Sequence, residues 1–304
     1  HWGDDIVRLI FQNINGLTQS SMVHTEIQKN GIRIQGHVIG MCETNVNWNN
    51  VSFRDSWERK EQMTTGHKTL YFSQSSCNEG YFKIMQRGRC SMMSTNKIGS
   101  HLTQQGNDED MGRWAWQRFK CQDQKHLKIS TAYQVSQKSA QGVGMDTEFM
   151  QQWRFLKTQK VGPVNPRAQF WQDRSAKMPQ AQEEGDEIIL MLDANSDFDD
   201  VQFLQMVTKH KLLDLHSNLT SLTPPPESYR REKKIVFILW SLAVSQAVVR
   251  GGIMDYNNGL KYSDHQALFI DMNEGRLFSA KGQDLITQIR DVRRPSKIRH
   301  WMEL

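Results

Sequence analysis

Polar side chains with the chemistry of a metal-assisted hydrolase follow several short apolar runs of this chain. They are Asn13, Asn15, Glu43, Tyr133, Asp193, Asn195, Asp264 and His265. Carboxylate and amide oxygens are the ligands of a hard cation such as Mg²⁺, whose remaining positions are filled by water. A nearby His stabilises charge on a phosphoryl oxygen, and an Asp orients a water for attack. Because no Ser or Cys nucleophile accompanies the set, the residue types favour metal-assisted hydrolysis over acyl-enzyme chemistry.

The apolar runs predict the strands that must position these side chains. They are Ile6–Phe11, Val38–Cys42, Leu127–Ala132, Ile188–Leu192, Ile235–Trp240 and Ala267–Ile270. Short runs of Ile, Val, Leu and Phe are typical of buried strands. Helices are predicted at Met22–Lys29, ended by Gly31, and after the capping residues Asp146, Thr147 and Asp199. Alternating strands and helices predict an α/β layered domain. We place it at residues 4–272, followed by a basic C-terminal extension at residues 273–304.

Composition excludes several classes of protein. Hydrophobic residues make up 38% of the 304 residues and charged residues 23%, which is typical of a folded domain rather than a disordered chain. The four cysteines form no CxxC pair, which argues against a zinc ribbon or thioredoxin motif and favours a reducing, intracellular compartment. Gly142-Val143-Gly144 lacks the third glycine of a dinucleotide fingerprint. The longest apolar run, residues 235–249, is too short to span a bilayer. We therefore expect no membrane partner and no small-molecule cofactor.

The charge is concentrated at the C-terminus. The net charge is +5, and residues 276–304 contain seven Lys/Arg against three Asp/Glu, so this tail supplies +4. A basic tail on a nearly neutral body is compatible with nucleic-acid binding, and a solvated helix face explains the charge equally simply. Trp114 and Trp116 alternate with Arg113 and Arg118. This pattern fits either stacking on nucleic acid or a strand with one buried face.

Five motifs, taken in order, resemble the endonuclease/exonuclease/phosphatase superfamily. They are Phe-Gln-Asn-Ile-Asn-Gly-Leu (11–17), Cys-Glu-Thr-Asn (42–45), Thr-Ala-Tyr-Gln-Val (131–135), Leu-Asp-Ala-Asn-Ser-Asp-Phe (192–198) and Ser-Asp-His (263–265). The resemblance implies the DNase I-like fold, a four-layer α/β sandwich with two mixed β-sheets packed face to face and flanked by helices. It also implies a metal-dependent phosphodiester hydrolase that uses Mg²⁺, with Mn²⁺ as the alternative ion.

The same resemblance implies a role for each site residue. Glu43 would hold the metal, with Asn15 and Asp264 as further metal contacts. Asp193 would orient the attacking water. The residues expected to stabilise the phosphate are Asn13, Asn195 and His265, and Tyr133 would support that geometry. Because the metal supplies the main charge stabilisation, losing Glu43 should reduce activity most.

Three segments resemble the endonuclease domain of non-LTR retrotransposons, which nicks target DNA ahead of a reverse transcriptase. They are Cys-Glu-Thr-Asn-Val-Asn-Trp (42–48), Gly-Arg-Trp (112–114) and Ser-Tyr-Arg-Arg (228–231). The resemblance implies DNA as the partner, a nuclear location if the source is a eukaryotic retroelement, and a reverse transcriptase region that this chain lacks. The nucleic-acid contacts expected from these segments and from the basic tail are Arg113, Trp114, Arg230, Arg293 and Arg294. Two alternatives stay open: an inactive nucleic-acid-binding relic, and a phosphatase of small or lipid phosphates.

One position departs from the family pattern. The family has Arg-Ile-Asp-(Tyr/Phe)-Ile-Leu where this chain has Lys-Ile-Val-Phe-Ile-Leu at residues 234–239. Val236 therefore stands where the family has the Asp that orients the catalytic His. This departure predicts that His265 lacks its usual orienting partner and that turnover is impaired.

The basic tail gives a first testable expectation. Each phosphate neutralised by Arg290, Arg293, Arg294, Lys297 or Arg299 should release a counterion and steepen the salt dependence of DNA binding by roughly 0.9 in log K against log salt. Deleting the residues after Asn273 should flatten that slope, measured by fluorescence anisotropy on duplex DNA between low and moderate salt. An unchanged slope would mean that the tail is a solvated linker.

Overall fold

Twelve strands pair into two sheets of six within the part of the chain that the structure describes. The structure is a computed structural model and describes residues 5–17, 21–65, 70–76, 86–108, 110–137, 141, 144, 147–159, 162–196, 200–219 and 234–278. The strands are β1 (Ile6–Asn13), β2 (Val38–Cys42), β3 (Leu70–Gln74), β4 (Cys90–Thr95), β5 (Leu102–Asn107), β6 (Trp114–Lys120), β7 (His126–Tyr133), β8 (Asp186–Asp193), β9 (Leu212–Asp214), β10 (Val236–Ser241), β11 (Val248–Ile253) and β12 (Leu268–Asn273).

Helices lie between many of these strands. They are α1 (Ser21–Arg33), α2 (Val51–Thr65), α3 (Asn96–Gly99), α4 (Glu148–Gln159), α5 (Pro166–Glu183), α6 (Val201–Lys209), α7 (Leu215–Leu219) and α8 (Glu274–Phe278), with a short 3₁₀ helix at Leu242–Gln246. None of the helices in the described residues is long and apolar enough to cross a membrane.

Both sheets are mixed. The first has the strand order β11-β12-β1-β2-β4-β3, and the second has the order β5-β6-β7-β8-β10-β9. In the first sheet β1 and β2 are parallel, and in the second β7 and β8 are parallel. The other pairs are antiparallel. The prediction of two mixed sheets flanked by helices is confirmed.

The apolar core of the described residues consists of three clusters, one between the two sheets and one between each sheet and its helices, because the central strands are buried on both faces. Alternate residues of β1 and β8, such as Phe11 and Met191, meet between the two sheets. The intervening residue Leu190 of β8 packs against α5 and α6, and Ile10 of β1 packs against α1 and α2. A strand that is covered on both faces reads as a continuous apolar run, which is why the sequence revealed these strands so clearly.

The helix predictions need two corrections. The first helix does not end at Gly31 but continues to Arg33. Its glycine lies against Ile39, where an added Cβ would come within 3.2 Å of that side chain. The α6 helix is capped by Asp200, whose side chain accepts hydrogen bonds from the first-turn amides, whereas Asp199 lies outside the described residues.

The inward face of α6 is formed by Phe203 and Met206, which are buried, whereas Val201 in its first turn is exposed. The inferred cap at Asp146 lies outside the described residues, but Thr147 accepts a hydrogen bond from the Met150 amide at the start of α4.

The folded region continues past residue 272. The short helix α8 follows β12, its Leu277 side chain is buried in the core between the sheets, and Lys97 forms an ion pair with Glu274 at 3.1 Å. A truncation that tests the tail should therefore end after Phe278. Arg230 and the tail residues Arg290, Arg293, Arg294, Lys297 and Arg299 lie outside the described residues.

A buried carboxyl group in α2 makes stability depend on pH. The Glu61 side chain is only 1% exposed. Burial raises its pKa to about 8, and a hydrogen bond with Gln28 opposes that rise. Because this pKa exceeds the unfolded value of about 4.3, Glu61 favours folding below about pH 4. That contribution is lost as the pH rises through about 8.

Glu61→Gln should remove this loss, since the amide fills the same space and never ionises. At pH 8 we expect the variant to gain roughly 4 kcal/mol in the free energy of unfolding relative to the wild type, and only about 1 kcal/mol at pH 5, because each pH unit between the two pKa values is worth about 1.4 kcal/mol. Urea denaturation at the two pH values measures it. Glu183→Gln, on the exposed face of α5, is the control and should leave the pH profile unchanged. Parallel pH profiles for wild type and Glu61→Gln would contradict the assignment.

Candidate active site

The parallel strands of the two sheets end at the same edge of the sandwich. Asn13 is the last residue of β1, and Glu43 directly follows β2. In the second sheet, Tyr133 and Asp193 end β7 and β8 and are paired in register. Side chains alternate along a strand, so Asn13 faces the same way as Phe11, and Asp193 the same way as Met191. Both polar side chains therefore point into the space between the sheets.

Two hydrogen bonds cross from one sheet to the other at this edge. The Asn13 amide Nδ2 donates to Asp193 Oδ2 at 2.6 Å. The Tyr133 hydroxyl donates to Glu43 Oε1. Each bond joins a residue of the first sheet to a residue of the second, so the site exists only when the two sheets are packed together.

A turn after the first sheet's β11 strand brings the last motif to the same place. The Ser263 hydroxyl donates to the Asn13 carbonyl at 2.9 Å and accepts from the His265 amide at 3.2 Å. His265 Nδ1 then lies 3.7 Å from Asp193 Oδ2, and His265 Nε2 lies 4.0 Å from Asp264 Oδ1. The imidazole thus lies between two carboxylates, beyond ordinary hydrogen-bond distance from either.

The remaining predicted residues lie at the rim. Asn15 Nδ2 donates to Asp264 Oδ1 over a long 3.4 Å. The Asn195 amide side chain donates to the Gln134 carbonyl at 2.7 Å, and its backbone N–H donates to Asp193 Oδ1 at 3.1 Å. All eight residues predicted to form the catalytic and metal site are therefore brought together, while their individual roles stay predictions.

Three of these residues have left-handed backbone conformations. The φ angle is 46° at Asn15, 50° at Glu43 and 44° at Asn195. Asn adopts this region readily, but a Glu there is uncommon and carries a conformational cost of about 1 kcal/mol or more. Such strained residues cluster at functional sites because the surrounding structure must hold them.

Burial and mutual repulsion raise the pKa of two carboxyl groups of the site, Asp193 and Glu43. Burial raises the pKa of Asp193 to about 7, although the Asn13 amide and the Asn195 N–H lower it. The pKa of Glu43 is raised, first by burial and then by the negative charge of Asp193. Such an excess of negative charge favours a cation, since an opposite charge within a few ångströms restores the ionised form.

The donor atoms fit a hard divalent cation better than a transition metal. Within the described ranges, no three His, Cys, Asp or Glu side chains are grouped closely enough to enclose a metal ion. Mg²⁺ needs no such cage, because it keeps several waters and takes only one or two carboxylates from the protein. The Glu43 and Asp264 carboxylates and the Asn15 amide oxygen provide that chemistry. The set offers oxygen rather than thiolate ligands.

Two residues that the sequence reasoning missed hold the His-bearing turn. Gln12 is fully buried, accepts from the Leu260 amide at 2.7 Å and donates to the His265 carbonyl at 3.0 Å. The Lys261 ammonium donates to the carbonyls of Ile14 and Gly16 at 3.0 and 2.7 Å. Gln12 lies inside the first motif, so its place beside Asn13 was the available signal. Nothing comparable marked Lys261.

Arg167 is a third missed residue. Its guanidinium donates to the Val135 carbonyl, to the Asn195 carbonyl at 3.1 Å and to the Ser196 hydroxyl. It therefore ties the loop after β7 to the loop after β8, and so positions Asn195. It stands in the first turn of α5, 28 residues before Asn195, where no sequence pattern connects it with the site.

The structure corrects the proposed nucleic-acid contacts at Arg113 and Trp114. Arg113 is 3% exposed and forms ion pairs with Asp108 at 2.7 Å and with Asp173 at 2.8 Å. Trp114 is 5% exposed and packs against Phe170 of α5. Because both side chains are committed to internal contacts, the surface-binding prediction is wrong, and the alternative of a strand with a buried face is the better description.

Val236 occupies the position next to Asp193. The two residues are directly paired between β10 and β8, and the Val236 side chain is fully buried in the core between the sheets. Residues paired in this way have side chains on the same face, with Cβ atoms about 5 Å apart. An acid at position 236 would therefore face the site. In this chain, the carboxylate nearest to His265 Nδ1 is that of Asp193.

Solved structures with the same architecture have nuclease and phosphatase names. The AP endonuclease LMAP from Leishmania major superposes with a TM-score of 0.64 at 13% identity, over 88% of each chain. A 3′ phosphatase, NExo, from Neisseria, bound to a product DNA hairpin, has a TM-score of 0.59 at 11% identity, over 88% of this chain and 99% of its own. The fold is that of the endonuclease/exonuclease/phosphatase superfamily.

A retroelement protein shares this DNase I-like fold. The endonuclease domain of TRAS1, a telomere-specific non-LTR retrotransposon, has a TM-score of 0.50 at 10% identity, over 91% of this chain and all of its own. No protein-family model matches the chain, and no curated protein matches it in sequence. At these sequence identities, the structural similarity establishes only the fold. The substrate has to be inferred from the residues of the site.

Val236→Asp tests whether His265 lacks an orienting partner. If it does, phosphodiesterase turnover should rise by roughly 10- to 100-fold, less than the ~10⁴ attributed to the triad Asp of serine proteases. The free energy of unfolding should fall by about 1–3 kcal/mol, because the new carboxylate is buried beside Asp193. Single-turnover cleavage rates and urea denaturation measure the two effects.

Val236→Asn is the matched control for charge. It offers an acceptor of the same size without a negative charge, so it should give a smaller gain. If Val236→Asp leaves a readily measured wild-type rate unchanged, Asp193 already orients His265 and the impaired-enzyme interpretation is wrong.

Proposed function

We propose that this protein is a metal-dependent phosphodiester hydrolase that nicks DNA. The observation that supports it best is the pair of bonds between the sheets, Asn13 to Asp193 and Tyr133 to Glu43, with His265 within 4.0 Å of two carboxylates. This arrangement combines a buried base, an amide, a phenol and an imidazole at one edge of a DNase I-like fold. Cleavage of a phosphodiester needs groups of these kinds.

Asp193 is the proposed base. Its pKa of about 7 is far better matched to accepting a proton near neutral pH than that of an ordinary carboxyl group. The carboxylate accepts one hydrogen bond from Asn13 Nδ2 and another from the Asn195 N–H, which fix its orientation. A water held at Asp193 would lose its proton there while its oxygen attacks phosphorus.

Asn13 and His265 are the proposed phosphate contacts. The Asn13 amide donates to Asp193 and is also hydrogen-bonded to Glu43, so a phosphoryl oxygen would replace Glu43 as the acceptor of its second N–H. His265 would donate to another oxygen of the same phosphate. Glu43, Asp264 and Asn15 would hold Mg²⁺. When bound, the ion would neutralise charge on the phosphate and on the departing oxygen.

DNA is the proposed substrate. Three structural neighbours carry names that refer to DNA or nucleases: an AP endonuclease, a phosphatase bound to a DNA hairpin and a retrotransposon endonuclease domain. The motifs at residues 42–48, 112–114 and 228–231 favour the retroelement type of endonuclease. The basic tail would add phosphate contacts that do not depend on sequence.

Val236 also favours a second candidate, a nucleic-acid-binding relic without activity. In that case the protein would bind DNA with a salt-dependent affinity but leave supercoiled plasmid intact, with or without Mg²⁺. Restoring the acid at position 236 then becomes the decisive variant, since Val236 is the departure from the family pattern that motivates this candidate.

Glu43→Gln should lower Mg²⁺-dependent nicking of supercoiled plasmid by roughly 10²-fold or more, because it neutralises the proposed metal ligand. The fold should persist, since Gln can still accept the hydrogen bond from Tyr133. Gel quantification of nicked circles over a Mg²⁺ titration, with a chelator blank, measures the loss.

Glu58→Gln in α2, a partly buried carboxyl group of the helix layer, is the control and should nick at the wild-type rate. Wild-type nicking by Glu43→Gln at limiting Mg²⁺ would exclude Glu43 as a metal ligand. An inert wild type that Val236→Asp activates would identify the chain as an impaired enzyme, whereas inertness of both would identify a relic.

A further inference from the structure

A groove unrelated to the proposed active site opens on the outer face of the second sheet, between α5 and strands β6 and β7. Its volume is about 280 Å³. Its walls include Trp114 and Trp116 of β6, Lys128 of β7, and Arg174 and Lys177 of α5. The active-site side chains point the other way, into the space between the sheets. The groove therefore requires its own explanation.

Arg174 is the unusual residue of this groove. It lies on the inward stripe of α5 with Phe170 and Met178, where an amphipathic helix normally carries apolar residues. It is 6% exposed, and its only hydrogen bond to another described residue is from Nη2 to the Ser130 hydroxyl at 3.2 Å. Its Nε is buried without an acceptor in the same part of the chain. A guanidinium has five N–H donors, so the described residues satisfy only a small part of its hydrogen-bonding capacity.

The carboxylates near Arg174 form ion pairs with a different arginine, Arg113. Asp108 and Asp173 both form ion pairs with Arg113, at 2.7 and 2.8 Å. No carboxylate of the described residues lies within 4.0 Å of the Arg174 guanidinium, which instead lies 5.3 Å from the centre of the Trp114 ring. Burial and the charge of Arg113 lower the pKa of Arg174 to about 10, so it stays charged at neutral pH.

Two lysines add positive charge at the rim. Lys128 is half-buried with its ammonium 4.2 Å from the centre of the Trp116 ring. Burial lowers its pKa, the negative charges of Asp186 and Glu184 oppose this, and the charge of Arg174 lowers it further, which places the two cations near each other. Lys177 is exposed, one turn along α5 from Arg174. The groove's one lining carboxylate is Glu184, which is exposed and accepts from Gln180 Nε2 at 3.3 Å.

We propose that this groove binds a terminal phosphate group, with Arg174 as its buried ligand and Lys128 and Lys177 as its rim ligands. Three cations against one carboxylate match the charge of a phosphomonoester, about −1.5 to −2 at neutral pH, better than that of a carboxylate. A guanidinium binds phosphate through two parallel N–H donors, and Arg174 has donors to spare. The pocket is small and its key ligand is deep, so a group at the end of a molecule reaches it better than a phosphate within a polymer backbone.

The test is titration calorimetry on the full chain in chelator, so that metal-dependent binding at the active site does not contribute. The probes are inorganic phosphate, a nucleoside 5′-monophosphate, and a short single-stranded oligonucleotide with and without a 5′-phosphate. We expect the phosphorylated oligonucleotide to bind at least about tenfold more tightly than its unphosphorylated twin. The two small probes show whether phosphate alone is sufficient or whether the nucleoside contributes. Equal affinity of the two oligonucleotides, or no binding of any phosphate probe at millimolar concentration, would overturn the proposal.

Arg174→Met separates binding from folding. Removing an unpaired buried charge should raise Tm in phosphate-free buffer, and phosphate binding should be lost. If this variant does not fold, Lys177→Ala decides, because an exposed lysine can be removed without damage to the core. It should weaken phosphate binding severalfold.

Controls tie the binding to this groove. Lys60→Ala, an exposed lysine of α2, should bind as the wild type does. His265→Ala should also keep full binding, since the active site is separate. Wild-type affinity in both Arg174→Met and Lys177→Ala, or loss of binding in His265→Ala, would place the phosphate elsewhere and overturn the assignment.

Discussion

The hydrogen bond from Asn13 to Asp193 is the interaction on which the site depends. It joins the end of β1 to the end of β8, and so links two sheets that have no covalent connection at that edge. This bond requires β1 and β8 to end at the same edge of the sandwich, with Asn13 and Asp193 both facing the space between the sheets. Since side chains alternate along a strand, a slip of one residue in either sheet would turn Asn13 or Asp193 into a helix layer. Correct register throughout the sandwich is therefore a condition for the chemistry.

The burial of the site between the two sheets also explains its unusual electrostatics. Polar groups taken out of water need partners, and the site satisfies its own by bonding one to another: amide to carboxylate, phenol to carboxylate and hydroxyl to carbonyl. Carboxyl groups crowded in this way hold their protons more tightly than they do in water. At the opposite face of the second sheet, burial acts on a cation, since Arg174 loses solvent while no carboxylate of the described residues lies within 4.0 Å of its guanidinium.

The sequence located six of the twelve strands that the structure describes, because strands buried on both faces are continuous apolar runs, and the polar residues that follow these runs lie together at one edge of the sandwich. It failed wherever a contact joins distant segments. Arg167 holds two loops from a separate helix, and Lys261 reaches back to the carbonyls of residues 14 and 16, so neither has a local signature. Arg113 was misjudged for a related reason: a strand arginine looks the same in sequence whether its partner is a phosphate or an aspartate sixty residues away. Caps and helix ends shifted by a residue or two, as they do when tertiary packing sets the boundary.

The left-handed backbone at Glu43 has a consequence for how this protein would change under selection. A residue with a φ of 50° is held there against its own preference, and Gly or Asn would relax that conformation at once. A library of variants selected only for thermal stability would therefore be enriched in Gly and Asn at position 43. Each of these variants would lack the Glu43 carboxylate of the site. At position 43, stability favours Gly or Asn, whereas the proposed chemistry requires a carboxylate. A Glu at position 43 is consequently a sign of selection for function. Its replacement in a copy that is no longer under selection would be among the first signs that the function had been lost.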